Sequence, residues 1–306
     1  MLTLSSLQGT FTALVTPFVD SPSKTIDWVA LDRLLDEQRE AKVTGIVVCG
    51  TTGESPTLTD RERQDILMHT LEYLKGTGIA VIANIGTHCT QETIERARLA
   101  EKDGVHGLMV VTPYYNKPDQ EGLFAHFMAV AEAVSCPLIL YNVPARTGVD
   151  LMTDTIARIC DRAPHVLGVK ESTGNVLRTQ QIVSNWGDRI AVLSGEDQIV
   201  LPMIAVGAKG VISVTANLLP AAVGRVVRLG LEGRLEEARC AHLELVAVHA
   251  AMLQETNPVP IKAALALQGW IQNSLRLPLV PAKQATRDHL SSVLETYHKR
   301  QRERDY

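Results

Sequence analysis

Residues 165–172, HVLGVKES, end a short apolar run on a lysine, Lys170. Such a run reads as a buried strand, whereas a lysine ammonium is a strongly hydrated charge. Removal from water disfavours the charged form of an amine, and a neutral amine attacks ketones to form a Schiff base. A salt-bridged lysine at a strand end is the competing reading. Other strand-end residues weigh on the choice. GTTGES (50–55) is a strand-to-loop turn whose glycines let backbone approach a ligand closely. The hydroxyls of Thr51 and Thr52, with backbone N–H groups, suit a small carboxylate. The turn lacks the Lys-Ser/Thr ending of a phosphate-binding loop. TPYYNKP (112–118) and YNVPARTG (141–148) set Tyr114, Tyr115 and Tyr141 at strand ends, three of only 6 tyrosines in the chain. A phenol chained to another hydroxyl can shuttle a proton, although a core tyrosine with a satisfied hydroxyl is the plainer reading of any one of them. Arg146, shortly after Tyr141, either holds a carboxylate through two parallel N–H bonds or is a surface charge.

These residues share a place in a repeating pattern. Near-continuous apolar runs rich in Val and Ile fall at 12–15, 45–48, 80–83, 108–111, 138–140, 166–169, 190–193 and 210–213. They read as parallel strands covered on both faces. Between them lie helical stretches. Residues 27–42 carry Trp28, Leu31, Leu34 and Leu35 on one side, and residues 59–75 open with Thr59 and Glu62 at capping-box spacing. Eight strand–helix units predict a closed (β/α)₈ barrel, an α/β TIM barrel, with reactive residues where strands end; an open doubly wound sheet would leave runs unexplained. After Leu231 only helical signals remain, at 233–254, 260–268 and 281–302. The expected organisation is a barrel over residues 1–232 with a C-terminal helical extension over 233–306. If side chains alternate along the strand, Lys170 and Glu171 face opposite ways and need not pair.

The 306 residues allow a large core. A formal net charge of −4 argues against capture of nucleic acid or anionic membrane. No apolar run reaches the ~18 residues of a membrane span, and the N-terminus has no signal-peptide pattern. The 5 cysteines are scattered without zinc-ligand or CxxC spacing, as expected of thiols in a reducing cytoplasm. The strand-end residues contain no cluster of His, Asp and Glu able to hold a metal. His242 and His249 lie a heptad apart and read as packing or solvent residues.

In order along the chain, GTTGES, TPYYN, YNVPARTG, VKESTGN, LSGED and GVISVTAN resemble the motifs of the dihydrodipicolinate synthase / N-acetylneuraminate lyase family, with NPVPIK (257–262) resembling its C-terminal signature. The resemblance runs from ALVTPF to LRLPLVP, essentially the whole chain. It implies that Lys170 forms an imine with pyruvate, with no further cofactor. It implies that Thr51, Tyr141 and Tyr115 relay protons, Tyr115 reaching in from a neighbouring subunit. Thr52 would bind the pyruvate carboxylate, Arg146 the carboxylate of L-aspartate 4-semialdehyde, and Gly195 and Ile212 would line the pocket. The implied product is 4-hydroxy-tetrahydrodipicolinate, on the diaminopimelate route to lysine. The implied assembly is a homotetramer built from dimers.

Two other functions compete. One is a related aldolase acting on a 2-keto-3-deoxy sugar acid or N-acetylneuraminate; the paired tyrosines and Arg146 favour the semialdehyde, which needs a carboxylate clamp. The other is a non-catalytic relative that binds a keto acid, against which the intact lysine, hydroxyls and arginine argue. Relatives inhibited by lysine carry a second site, whose matching positions here are Ser55, Pro56, Asp60, Arg63, His88, Glu92 and Tyr114. Ser55, Glu92 and Tyr114 suit a lysine. Arg63 places a fixed cation where an incoming ammonium would be repelled, so feedback inhibition is expected to be weak or absent.

Overall fold

The computed structural model describes residues 1–303. Eight parallel strands close into a barrel in chain order: β1 (Gly9–Ala13), β2 (Gly45–Val48), β3 (Ala80–Asn84), β4 (Gly107–Val111), β5 (Leu138–Asn142), β6 (Val166–Glu171), β7 (Ala191–Ser194) and β8 (Gly210–Ser213). β1 closes on β8 with Gly9 opposite Gly210 and Thr12 opposite Ser213. Among the described residues nine α-helices precede the extension: α1 (Trp28–Glu40), α2 (Asp60–Tyr73), α3 (Thr90–Lys102), α4 (Gln120–Ala133), α5 (Pro144–Thr147), α6 (Thr153–Arg162), α7 (Val176–Trp186), α8 (Val200–Ala205) and α9 (Pro220–Leu231). The extension adds α10 (Leu235–Ala251), α11 (Val259–Leu267) and α12 (Gln284–Arg302). The fold is a TIM barrel.

Strand alternation divides the core into two layers. Phe11, Val47, Ile82, Met109, Ile139, Leu193 and Ile212 point inward and pack with Leu2 and Leu7 of the N-terminal segment. Leu108, Leu138, Leu140, Val166 and Val169 point outward and join the helices in a larger apolar sheath. That sheath also takes in Val259 and Ile261 of α11 and Leu290 and Leu294 of α12, so the extension shares the barrel's core. α10 packs with α8 and α9 through Ala238, Ala241 and Leu245.

Several helix starts follow local chemistry. Asp27 caps α1 by accepting from the Ala30 N–H, and Thr59 with Glu62 forms the expected capping box on α2. Two expectations shift. The first strand begins at Gly9 rather than at residue 12, because its polar residues belong to the sheet: outward-facing Thr12 donates to Gln38 Oε1 of α1 at 2.5 Å while Phe11 fills the interior. Trp28 does not join the buried face of α1. It is the helix's first residue, 37% exposed, and its ring lies 4.9 Å from that of His69. His242 and His249 are buried packing residues, and His249 Nδ1 lies 2.9 Å from Thr215 Oγ1.

Candidate active site

In the parallel ladder, Lys170 pairs in register with Tyr141 of β5 and Leu193 of β7. In-register residues of adjacent strands share a face, so Lys170 enters the barrel interior beside two members of the inner core. It is 6% exposed, and its Nζ stands 4.3 Å from the centre of the Tyr141 ring. No hydrogen bond or ion pair engages that amine among the described residues. Glu196, just past β7, feels the Lys170 charge. Burial raises the Glu196 carboxyl, while the Lys170 charge pulls it down. Glu171 takes the opposite face, as alternation requires. It accepts from Asn142 Nδ2 at 3.2 Å and from the Thr173 N–H at 2.7 Å, and burial raises its carboxyl.

Gly195 makes room for the lysine. A Cβ there would stand 3.1 Å from Lys170 Cε and would collide with Ser172 Oγ, so a larger residue would force the Ser172 side chain to move and would crowd the lysine. The Gly195 N–H donates to the Glu171 carbonyl at 2.8 Å. Ile212 lies in β8, wholly buried in the inner core.

At Tyr141, whose ring Lys170 faces, opens a cavity of about 220 Å³ lined by Thr51, Ser55, Asn84, Tyr114, Tyr141, Arg146 and others; Lys170, Thr52, Gly195 and Ile212 are not among its lining residues. It unites residues from four strand ends, so Thr51, Tyr141 and Arg146 line one space. Arg146 sits on the one-turn helix α5 and donates from Nη2 to the Asn257 carbonyl at 3.3 Å. Thr52 is buried beneath the turn, where its Oγ1 accepts from Asn257 Nδ2 at 3.0 Å. Tyr115 stands apart. It is 90% exposed, its φ is +69°, and it does not line its own chain's cavity.

The turn that carries Thr51 and Thr52 is held from below by groups the sequence reading did not single out. Glu54 adopts a left-handed conformation, φ +54°, and is wholly buried. Its carboxylate pairs with Lys262 of α11 and accepts from the Arg276 N–H at 3.0 Å. Lys262 also donates to the Thr16 carbonyl at 2.9 Å, and Thr16 Oγ1 donates to the Gly53 carbonyl at 2.8 Å. A residue with φ > 0 is costly off glycine, and this buried ion pair fixes the backbone there. The signal in the sequence was a lysine inside the apolar stretch VPIKAALAL (259–267), the same kind of signal that marked Lys170.

The residues matched to an effector site are drawn into contacts of their own. Arg63 donates to the Ser55 carbonyl, and to Ser55 Oγ at 2.7 Å. Glu92 is paired with Arg96 at 2.5 Å, and Arg96 also reaches Asp60 at 2.9 Å. The His88 and Tyr114 rings lie 5.2 Å apart, centre to centre. Pro56 lines the cavity at Tyr141 with Ser55 and Tyr114.

The model of the dihydrodipicolinate synthetase family matches residues 6–297. The 4-hydroxy-tetrahydrodipicolinate synthase of Sorangium cellulosum is 48% identical over 288 residues, covering 94% of this chain and 95% of that one. The solved structure of the 4-hydroxy-tetrahydrodipicolinate synthase from Methylacidiphilum fumariolicum SolV has a TM-score of 0.93 at 43% identity and covers 96% of each chain. The chloride-inhibited dihydrodipicolinate synthase from Acinetobacter baumannii, solved in complex with pyruvate, has a TM-score of 0.93 at 37% identity, covering 95% of this chain and 99% of that one. With a matching model over nearly all its length and relatives this similar, the chain belongs to the dihydrodipicolinate synthetase family.

Proposed function

We propose that this lyase condenses pyruvate with L-aspartate 4-semialdehyde through an imine on Lys170, giving 4-hydroxy-tetrahydrodipicolinate on the diaminopimelate route to lysine. The observation that carries the reading is a buried amine with no hydrogen-bond or ion-pair partner among the described residues, set inside the barrel over the Tyr141 ring. The Lys170 amine adds to the pyruvate ketone and water leaves. The protonated imine draws electrons from the methyl group, which gives up a proton to form an enamine. The enamine carbon attacks the semialdehyde's aldehyde, whose oxygen takes a proton. The semialdehyde's own amine then attacks the imine carbon, closes the ring and releases Lys170. No electrons are gained or lost overall.

Each neighbour has work in this scheme. Thr51 and Tyr141 line the same cavity and carry protons to and from the reacting atoms. Thr52 holds the pyruvate carboxylate, and Arg146, exposed at the cavity's rim, receives the carboxylate of the second substrate. Tyr115 completes the relay from a second subunit, consistent with its exposure on its own chain. This part of the proposal requires at least a dimer, and the family resemblance points to a tetramer built from two dimers, acting in the cytoplasm.

A substrate panel tests the reading. Pyruvate with L-aspartate 4-semialdehyde should turn over far faster than pyruvate with sugar aldehydes. Faster turnover with the sugar aldehydes would move the assignment to the sugar-acid aldolases. Tyr115→Phe should lose activity that mixing with a Lys170→Ala chain partly restores, because a mixed dimer holds one intact site. No restoration in a demonstrated mixed dimer would contradict the shared relay.

A further inference from the structure

Thr52 has a tie to the C-terminal extension that its proposed role does not explain. Asn257, between α10 and α11, donates from Nδ2 to Thr52 Oγ1 at 3.0 Å, and no other hydrogen bond engages that hydroxyl among the described residues. The carbonyl of the same residue accepts from Arg146. Asn257 therefore touches both groups assigned to substrate carboxylates. It is held in place by a second tie nearby, because Lys262, five residues on, grips Glu54, two residues beyond Thr52.

A hydroxyl has one proton to give and two lone pairs. With an amide N–H on one lone pair, the Thr52 proton is left without a bound acceptor among the described residues, and the oxygen of the same Asn257 amide is buried without a donor. We propose that Asn257 is a positioning residue that fixes Thr52 as a donor toward a carboxylate, and so makes the site select keto acids over neutral ketones. The inference rests on the reading of Thr52 as the pyruvate-carboxylate contact. Its chemistry is one of polarity. An acceptor at the Asn257 amide position would claim the Thr52 proton and leave the substrate carboxylate facing lone pairs.

Asn257→Asp in the full-length enzyme makes that exchange with little change of shape. The expected result is a rise in KM for pyruvate of about tenfold or more, with kcat within about twofold and an unchanged thermal midpoint. As pH is lowered, the introduced carboxyl takes up a proton and becomes a donor again, so the ratio of variant to parent KM should shrink. Asn257→Ala removes the contact without supplying an acceptor, and should give a smaller rise whose ratio to the parent does not change with pH. An unchanged KM in Asn257→Asp overturns the inference. So do equal, pH-independent rises in both variants, which a purely structural role would give. Thr52→Val separates the two levels. If it raises KM for pyruvate while Asn257→Asp does not, only this inference falls. If Thr52→Val leaves KM unchanged, the carboxylate reading of Thr52 is wrong and the inference goes with it.

Discussion

Lys170 and Lys262 are both removed from water, 6% and 0% exposed, and both rest their ammonium over an aromatic ring, at 4.3 Å from Tyr141 and 4.4 Å from Phe18. Their partners differ. Lys262 meets the Glu54 carboxylate and the Thr16 carbonyl, while among the described residues Lys170 has neither a carboxylate nor a carbonyl bound to it. Burial pulls Lys262 down to about 8, with Glu54 opposing, so it stays protonated near neutral pH. Burial alone therefore does not mark a reactive lysine. What separates the two is whether the protein satisfies the nitrogen or leaves it for a ligand. A satisfied buried ion is costly to break and fixes structure. An unsatisfied amine at a strand end is free to form a bond.

The largest effect expected is at Lys170. Lys170→Ala and Lys170→Arg should each lower kcat by about a thousandfold or more, because neither retains a nucleophilic amine. Both should fold with stability within about 1 kcal/mol of the parent, since no ion pair is broken. Turnover kinetics and urea unfolding on the same preparations check both halves. Lys262→Met should show the reverse pattern. It leaves Glu54 buried without its cation and should cost about 3–5 kcal/mol by urea unfolding. Adding Glu54→Gln to it should recover part of that loss, and a double variant no better than the single one would mean the charge is not the cause.

A buried base without any counter-charge sharpens the contrast. His126 in α4 is buried against α3, its Nδ1 2.9 Å from Thr90 Oγ1, and burial holds it down at about 4 from an ordinary 6.5. The unfolded chain takes up a proton below about pH 6.5 that the folded chain refuses until about pH 4. Folded stability from this group is thus present above that window and falls as pH drops through it, by at most about 3 kcal/mol. Unfolding midpoints of the parent and of His126→Gln, taken from neutral pH downward, should converge as the pH approaches 4. A constant gap would contradict the assignment.

The smallest effect expected lies on the far side of the cavity at Tyr141. Arg63 is fixed on Ser55, and Glu92 is already paired with Arg96. An incoming lysine would meet a cation and an engaged carboxylate. Inhibition by L-lysine should stay weak, with Arg63→His strengthening it modestly. An inhibition constant in the micromolar range for the parent would contradict this.

Much of the barrel was legible in the sequence because buried parallel strands are short apolar runs. β2 and β8 match those runs in both bounds. Several others run one or two residues past the last apolar position, to Asn84, Asn142, Glu171 and Ser194. The backbone ladder continues there while the side chains turn polar, so hydropathy stops where the chemistry begins. The one-turn helix α5 left no period to read. The contacts of Asn257 and Lys262 with the GTTGES turn join segments more than two hundred residues apart, and no local pattern encodes them. The apolar stretch around Lys262 resembled that around Lys170, and only the fold shows which lysine has a partner.

Borohydride reduction in the presence of pyruvate, followed by peptide mapping, tests the central claim most directly. The account predicts a reduced pyruvate adduct on the peptide containing Lys170, none on the peptide containing Lys262, and loss of turnover in step with the modification. An adduct on another lysine, or full turnover in Lys170→Ala, would contradict it.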